Sequence, residues 1–126
     1  MKKISPPGIG GTEDLEMKSM KDGRNIMPDG GERWFLKGVV HRVDGPASIW
    51  LDGTRSRFWY FNGKLHRTDG PAVQWWSGTE EWWLNNHQLN KKEIRRFKYL
   101  QTCPKKKLLE YIGTIYAPII ERRLRE

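Results

Sequence analysis

The sequence has one cysteine and no long apolar run, and each absence excludes a class of protein. The single thiol, Cys103, excludes an internal disulfide framework and a cysteine-only zinc site. The three histidines show no metal-ligand spacing with it, so we expect neither a metal nor a cofactor. No apolar run approaches the length of a membrane span, and none follows the first lysines as in a secretion signal. We therefore expect a reduced, cytoplasmic protein.

The 126 residues suffice for one small domain with an appendage, and charge and aromatic residues divide them unevenly. Residues 91–126 hold eleven basic and four acidic side chains, whereas residues 1–33 and 34–90 are nearly balanced. All seven tryptophans lie in the middle segment, at positions 34, 50, 59, 75, 76, 82 and 83. A groove that stacks nucleic-acid bases interleaves aromatic and basic residues. The segregation therefore argues against base stacking in the tryptophan-rich segment and leaves the basic tail as a candidate.

An internal repeat dominates the middle of the chain. The motif His-Arg-x-Asp-Gly-Pro-Ala occurs at 41–47 and again at 66–72, an offset of 25 residues. Flanking tryptophans and glycines match at the same offset. A third, fading copy aligns at an offset of 24, which places Asn62 with Asn86 and Leu65 with Leu89. The repeat region spans about 29–90.

Each copy has the pattern of a β-hairpin. The run 57–61 is rich in aromatic residues, and Asn62-Gly63 is a strong signal for a type I′ turn, which needs positive φ at both central residues. Asp69-Gly70-Pro71 then interrupts the chain before the next strand. Alternation places Trp59 and Phe61 on the face opposite Phe58 and Tyr60, so we expect the C-terminal helices to cover one face.

The histidine and aspartate of the motif also suggest a general base, which we reject for a structural role. A catalytic constellation is needed once, whereas these residues recur with every structural unit. We expect the aspartates to accept hydrogen bonds from turn N–H groups, and His or Arg to contact carbonyls of neighbouring hairpins. The sequence thus predicts no catalytic residue. The structural repeat residues are His41, Arg42, Asp44, His66, Arg67 and Asp69.

The unit running from Asn62-Gly63 through the motif at 66–72 to Ser77-Gly78-Thr79 resembles a known repeat. It is similar to the degenerate relatives of MORN repeats in uncharacterised proteins of tailed bacteriophages and giant viruses. The resemblance covers residues 29–90. It implies stacked β-hairpins that form a scaffold or interaction surface with no shared chemistry. It also implies a viral source, in which case the cytoplasm would be that of the host cell.

The sequence pattern of the tail predicts amphipathic helices. Asn90 and Glu93 form a helix-start pattern, Ile94, Phe97 and Leu100 an apolar stripe, and Pro104 a helix stop. A second helix should follow with a kink near Ala117, or as two shorter helices, because Pro118 removes a donor. Positive charge in the first turn of that helix is unfavourable unless an anion is near. The candidate contacts for a partner or an anion are Arg95, Arg96, Lys98, Lys105, Lys106 and Lys107. The arginines at 122, 123 and 125 suit a helix C-terminus.

Two adjacent tryptophan pairs, 75–76 and 82–83, point to opposite sheet faces within each pair. One member of each should be buried, and the other is a candidate anchor for a partner. We take Trp76 and Trp82 as the exposed aromatic anchors.

These patterns predict a β-rich α+β fold. An extended or disordered arm (1–28) precedes an antiparallel meander of stacked β-hairpin repeats (29–90), and C-terminal α-helices form a basic tail (91–126). The predicted function is a non-enzymatic protein-protein interaction module, a phage accessory or host-interaction protein. The alternative is a nucleic-acid-binding protein that uses the tail through salt-dependent phosphate contacts. Open sheet edges would permit self-association, and acidic residues with the Pro118 kink argue against membrane attachment.

Overall fold

The computed structural model describes residues 20–51 and 55–126, and it confirms the predicted fold class. Short antiparallel strands come first and helices follow. The strands are β1 (Gly23–Ile26), β2 (Glu32–Leu36), β3 (Val39–Val40), β4 (Ser48–Ile49), β5 (Arg57–Phe58), β6 (Tyr60–Phe61), β7 (Lys64–Leu65), β8 (Val73–Gln74), β9 (Glu80–Glu81), β10 (Trp83–Leu84) and β11 (His87–Gln88). The helices are α1 (Lys91–Thr102), α2 (Lys105–Leu108), a 3-10 turn (Leu109–Tyr111) and α3 (Ala117–Leu124).

The strands form a meander. The main sheet has the order β1-β2-β4-β5-β8-β9, and every neighbouring pair is antiparallel. Three short hairpins project from it: β2 pairs with β3, β6 with β7, and β10 with β11. Each of the first two copies therefore contributes a stretch that runs from the sheet into a hairpin and a two-residue strand, β4 or β8, that returns to the sheet.

The hairpin turns have the backbone that their sequences predict. Asn62 and Gly63 lie at φ of 50° and 78°, the left-handed values of a type I′ turn. Lys37 and Gly38 make the corresponding turn of the first copy. In the third copy the turn residues are Asn85 and Asn86, at φ of 47° and 67°, which asparagine tolerates better than most residues.

The third copy aligns at an offset of 23 residues, and the predicted offset of 24 is wrong. The N–H of Trp50 donates to the carbonyl of Ser56, whereas the N–H of Trp75 donates to that of Thr79. The turn after β8 is therefore two residues shorter than the turn after β4. The hairpin of the third copy pairs Trp83 with Gln88, and these residues correspond to Tyr60 and Leu65 of the second copy. In consequence Asn85, rather than Asn86, corresponds to Asn62.

The sheet buries one face, as the alternation predicts. Phe58 and Tyr60 are buried, while Trp59 is half-buried and 40% of Phe61 is exposed. Burial raises the pKa of the Tyr60 hydroxyl. The core of the sheet consists of Phe35, Val40, Ala47, Phe58, Tyr60, Leu65 and Val73, with Trp50, Trp75 and Trp83 packed against it.

The tail helices close the end of the array rather than covering a face, which corrects the expectation that they would lie on the sheet. They form a second core with the third copy, in which Leu84 and Leu89 are buried against the helices. The helical members of this core are Phe97, Leu100, Cys103, Leu108, Ile119 and Ile120. The open face of the first two copies is therefore left uncovered by these helices along Phe61 and Leu36, which is 41% exposed.

The tail helices begin and end close to the predicted positions. Asn90 Oδ1 accepts the N–H of Glu93, and the Glu93 carboxylate accepts the N–H of Asn90, a complete capping box. This hydrogen bond from the Asn90 backbone lowers the pKa of Glu93. Helix α1 ends before Pro104, and the following segment forms two short helices with Pro118 in the first turn of α3.

The predicted arm, 1–28, lies partly outside the described residues, which begin at 20. Within it, β1 pairs with β2 over four residues, so the sheet begins before residue 29. The carboxylate of Asp22 accepts the N–H of Lys37 at 2.7 Å and so contacts the turn of the first hairpin.

We expect Asn90→Ala to lower the free energy of unfolding by about 1 kcal/mol, because it removes the side-chain acceptor that starts α1. Thr102→Ala, an exposed position in the last turn of the same helix, should change it by less than about 0.5 kcal/mol. Urea unfolding followed by circular dichroism measures both. Equal effects of the two substitutions would contradict the importance of the cap.

Candidate functional site

The first copy of the motif folds around the guanidinium of Arg42. Its Cζ lies 3.9 Å from the ring centroid of Trp34, a cation-π contact. Arg42 Nε donates to Asp44 Oδ1 at 2.9 Å, and Nη1 donates to the carbonyl of Pro46 at 3.2 Å. The ion pair lowers the pKa of Asp44. The loop is thus closed by one planar side chain that stacks on an indole and bonds both the carboxylate and the backbone.

The second copy repeats these contacts. Arg67 lies over Trp59 at 4.1 Å, donates to Asp69 Oδ1 at 2.8 Å and donates to the carbonyl of Pro71 at 3.1 Å. A Cβ at Gly70 would stand 2.8 Å from Arg67 Cζ, which explains the glycine of the motif. The arginine-to-carbonyl bond was predicted, but it lies within one loop rather than between hairpins. The aspartates accept from the arginine of their own loop, a partner that the sequence did not predict.

The motif histidines connect consecutive hairpins. His41 Nδ1 accepts the backbone N–H of Asn62 at 2.9 Å, and His66 Nδ1 accepts that of Asn85 at 3.0 Å. Each acceptor belongs to one repeat and each donor to the turn of the next. Burial lowers the pKa of His66, which favours the neutral ring that this bond requires. The imidazoles therefore occupy structural positions between repeats, and protonation of His66 bears on stability.

A cleft of about 760 Å³ lies where the two motif loops meet α3. Its floor includes the aromatic rings of Trp59, Phe61 and His66, and its walls carry both signs of charge. The charged lining residues are Arg42, Asp44, Arg67, Asp69, Glu121, Arg122 and Arg125. The volume falls within the range of ligand-binding clefts.

Arg122 and Arg123 attach α3 to the rest of the fold, a role that the sequence did not indicate. Arg122 donates to Thr68 Oγ1 at 3.1 Å, to the carbonyl of Thr68 at 3.2 Å and to Gln101 Oε1 at 2.6 Å. Arg123 donates to the carbonyls of Leu100 and Cys103. The contact to Thr68 spans 54 residues, so no local pattern could have predicted it.

The candidate basic contacts divide into two groups. Arg95, Arg96 and Lys98 are exposed on α1, where Arg96 donates to the hydroxyl of Tyr111 and Lys98 lies 5.2 Å from the ring centroid of Trp82. With Lys91 and Lys92 they give α1 an exposed basic face.

The second group stands on α2. Lys105, Lys106 and Lys107 are all exposed; Lys105 donates to the carbonyl of Glu126, and Lys107 is 3.6 Å from Glu110. The helix has only four residues. So short a helix aligns few peptide dipoles, and the dipole adds little to these lysines as candidate anion contacts.

Only one of the two candidate aromatic anchors is well exposed. Trp76 has 58% of its surface exposed, while its neighbour Trp75 packs against the sheet core. Trp82 is half-buried and packs edge-on against Phe97, with ring centroids 5.0 Å apart. The prediction of an exposed Trp82 is corrected, because the tail helices cover that side of the third copy. Trp83 packs against the sheet core instead.

An exposed aliphatic cluster in the tail was not predicted. Leu109, Ile112 and Ile115 are 58%, 64% and 40% exposed, and they fall within seven residues between α2 and α3. Their spacing in the sequence would place all three on the apolar face of the second tail helix. Because the chain breaks at Gly113, at φ of 80°, this segment leaves the helical register and its aliphatic side chains face outward.

The described residues contain no group of three or more His, Cys, Asp or Glu side chains that could hold a metal ion. Across the same residues, no helix combines the length and apolar character that a bilayer crossing needs. No protein-family model, curated protein or solved structure matches the chain.

We expect Arg67→Gln to lower the free energy of unfolding by about 1–3 kcal/mol, because it removes the stack on Trp59 and the bond to Pro71. Arg57→Gln, at an exposed position on β5, is the matched control and should stay within about 0.5 kcal/mol of the parent. Chemical denaturation measures both. Near-equal values would show that the stack contributes little.

The free energy of unfolding should fall as the pH drops below about 6.5. Because the folded state lowers the pKa of His66, the unfolded chain binds a proton there that the folded chain does not. The contribution of His66 to the free energy of unfolding is complete at pH values above its pKa in the unfolded chain. It is lost as the pH falls toward its pKa in the folded chain. Urea titrations between neutral pH and pH 5 should show the loss in the parent and a smaller loss in His66→Gln. An unchanged pH slope in the variant would contradict the assignment.

Proposed function

We propose that the chain is a non-enzymatic protein-protein interaction module in which the repeat array is a scaffold and the tail carries the contact surface. A phage accessory or host-interaction protein is the setting that its repeat sequence suggests. The proposal depends on one observation above all, the exposed aliphatic cluster Leu109, Ile112 and Ile115.

This cluster has the properties of an interface centre. Exposed apolar patches mark interaction sites, and these three side chains are exposed within seven residues of the chain. Burying one such side chain against a partner gives about 1.5–3 kcal/mol. The neighbouring Lys105, Lys106 and Lys107 would form a polar rim that orients an approaching acidic surface.

The contacts of the repeat motif support a scaffold over a catalytic array. Each arginine and aspartate of the motif is bonded within its own loop, and each histidine nitrogen Nδ1 accepts a backbone N–H. A general base needs a lone pair directed at a substrate proton. Here the described contacts direct these groups at the protein itself.

The alternative is nucleic-acid binding through the exposed basic face of α1. Five basic side chains on this helix favour it, since Lys and Arg that neutralise phosphates supply most of non-specific affinity. The aliphatic cluster would be unused in that function, because a phosphate backbone offers it no apolar surface. The protein partner is therefore the better-supported reading.

Site-specific cross-linking tests the proposal. A photoreactive residue at position 112 should cross-link a protein partner in the native host, and the same residue at position 26 should not. Ile26, at 58% exposure, is the matched control because it is an equally exposed aliphatic residue on β1. The cross-linked protein is then purified and its affinity measured by calorimetry.

We expect Ile112→Asp to weaken binding to that protein by at least about tenfold, since it places a charge at the centre of the interface. Ile26→Asp should leave the affinity within about twofold of the parent. Equal effects of the two substitutions would remove the proposal. Cross-links from position 112 to lipid would show membrane attachment instead.

Filter binding to duplex DNA at about 50 and 200 mM salt examines the alternative. Binding at low salt that falls steeply at high salt, and that weakens when Lys91, Lys92 and Arg95 of the α1 face are replaced by Gln, would favour nucleic acid over a protein partner. No binding at low salt would exclude it.

A further inference from the structure

The cleft between the two motif loops and α3 is lined by the same chemical groups twice, once from each loop. The loops 41–46 and 66–71 lead into β4 and β8, which are separated in the sheet by β5 alone. Two strand spacings put equivalent groups of the two loops about 9.5 Å apart. The cleft is therefore matched to a linear ligand whose own features recur at nearly that distance.

The cleft is rich in hydrogen-bond donors. Within the described chain, the bonds of Arg42 and Arg67 to their loops use Nε and Nη1, which leaves Nη2 of each guanidinium. His66 accepts at Nδ1, so its neutral ring carries the proton on Nε2 as a donor. Asn85 and Arg125 also line the cleft and are exposed.

The carboxylates of the cleft are partly engaged. Asp44 and Asp69 each accept through Oδ1 from the arginine of their own loop, so their second oxygens and the carboxylate of Glu121 are the acceptors left among the charged lining residues. Four arginines against three carboxylates leave little net charge, so a strongly charged ligand gains little here. The complementary ligand is one with more acceptors than donors and modest charge.

The floor of the cleft is aromatic. Phe61 is 40% exposed and lies between two imidazoles, with ring centroids 4.6 Å from His41 and 5.9 Å from His66. Trp59 lines the cleft beside it, with Arg67 stacked on its ring. Aromatic surfaces of this kind pack against rigid apolar rings.

We propose that this cleft binds a proline-rich segment of a protein partner in the polyproline II conformation. Proline has no N–H, and a polyproline II chain has no internal hydrogen bonds, so its carbonyls all require donors. Three residues of this helix rise about 9.3 Å, close to the spacing of the two loops. Its pyrrolidine rings pack on aromatic floors, and its rigidity lowers the entropy lost on binding.

The inference adds a second site to the proposed interaction module and rests on different residues. The aliphatic cluster of the tail lies outside the residues that line the cleft. The two claims can therefore fail independently, and Ile112→Asp should leave binding in the cleft unchanged.

Titration of the isotope-labelled full chain with a polyproline peptide, followed by two-dimensional NMR, tests the inference. A Gly-Ser peptide of equal length is the ligand control. We expect saturable shifts of the Trp59 indole N–H and of the amides at 66–69 with polyproline, and none with Gly-Ser. Absence of saturable shifts with polyproline would overturn the inference. It would not bear on the separate proposal for the aliphatic cluster of the tail.

Two substitutions locate the binding. Phe61→Ala should weaken binding by about tenfold through loss of the aromatic floor, and Arg125→Gln by a few-fold through loss of a donor. Both side chains are exposed, so the fold should tolerate the changes. Trp76→Ala removes an exposed tryptophan outside the cleft and should change nothing. Binding that depends on Trp76 rather than Phe61 would show mere adhesion to an exposed ring and would overturn the inference.

Discussion

The stack of an arginine guanidinium on a tryptophan ring is the interaction on which this fold depends. Most of its strands have only two residues, too few for ladder hydrogen bonds alone to hold a sheet. The stacks of Arg42 on Trp34 and of Arg67 on Trp59 supply the missing stabilisation. Each stack connects the hairpin to the loop that leads into the next strand of the sheet. The aspartate and the proline carbonyl of the motif accept hydrogen bonds from this guanidinium, and the glycine leaves room for it.

Repeat arrays need capping structures at their ends, and here the two ends differ from the middle in the residues that contact the hairpin turns and occupy the motif positions. The turn of each inner hairpin is held by the histidine of the copy before it, while Asp22 contacts the turn of the first hairpin. In the third copy Leu89 stands where His66 stands in the second, and it is buried in the tail core. Asn90, in the place of Arg67, caps α1 instead of stacking. Where the second copy has the motif at 66–72, the third copy has Leu-Asn-Lys-Lys-Glu-Ile-Arg at 89–95, and there the chain passes from sheet to helix.

Side chains between the motif residues differ in exposure from one copy to the next. Leu36 and Phe61 occupy equivalent positions of the first two copies and remain exposed, while Leu84 at that position in the third copy is buried under the helices. Arg122 holds α3 against the second motif loop, and both line the cleft. The same residues therefore line the cleft and attach the tail to the repeat array.

The sequence by itself determined the repeat, the turns and the capping box, because turn conformation, strand alternation and helix starts depend on residues a few positions apart. It also indicated the structural role of the motif residues, since His41 and His66 recur with the unit. Only the tertiary structure decided that Trp82 is covered, that Arg122 contacts Thr68, and that Ile112 faces outward. These outcomes depend on how the tail closes against the third copy, and contacts between residues far apart in the chain leave no periodic trace in the sequence.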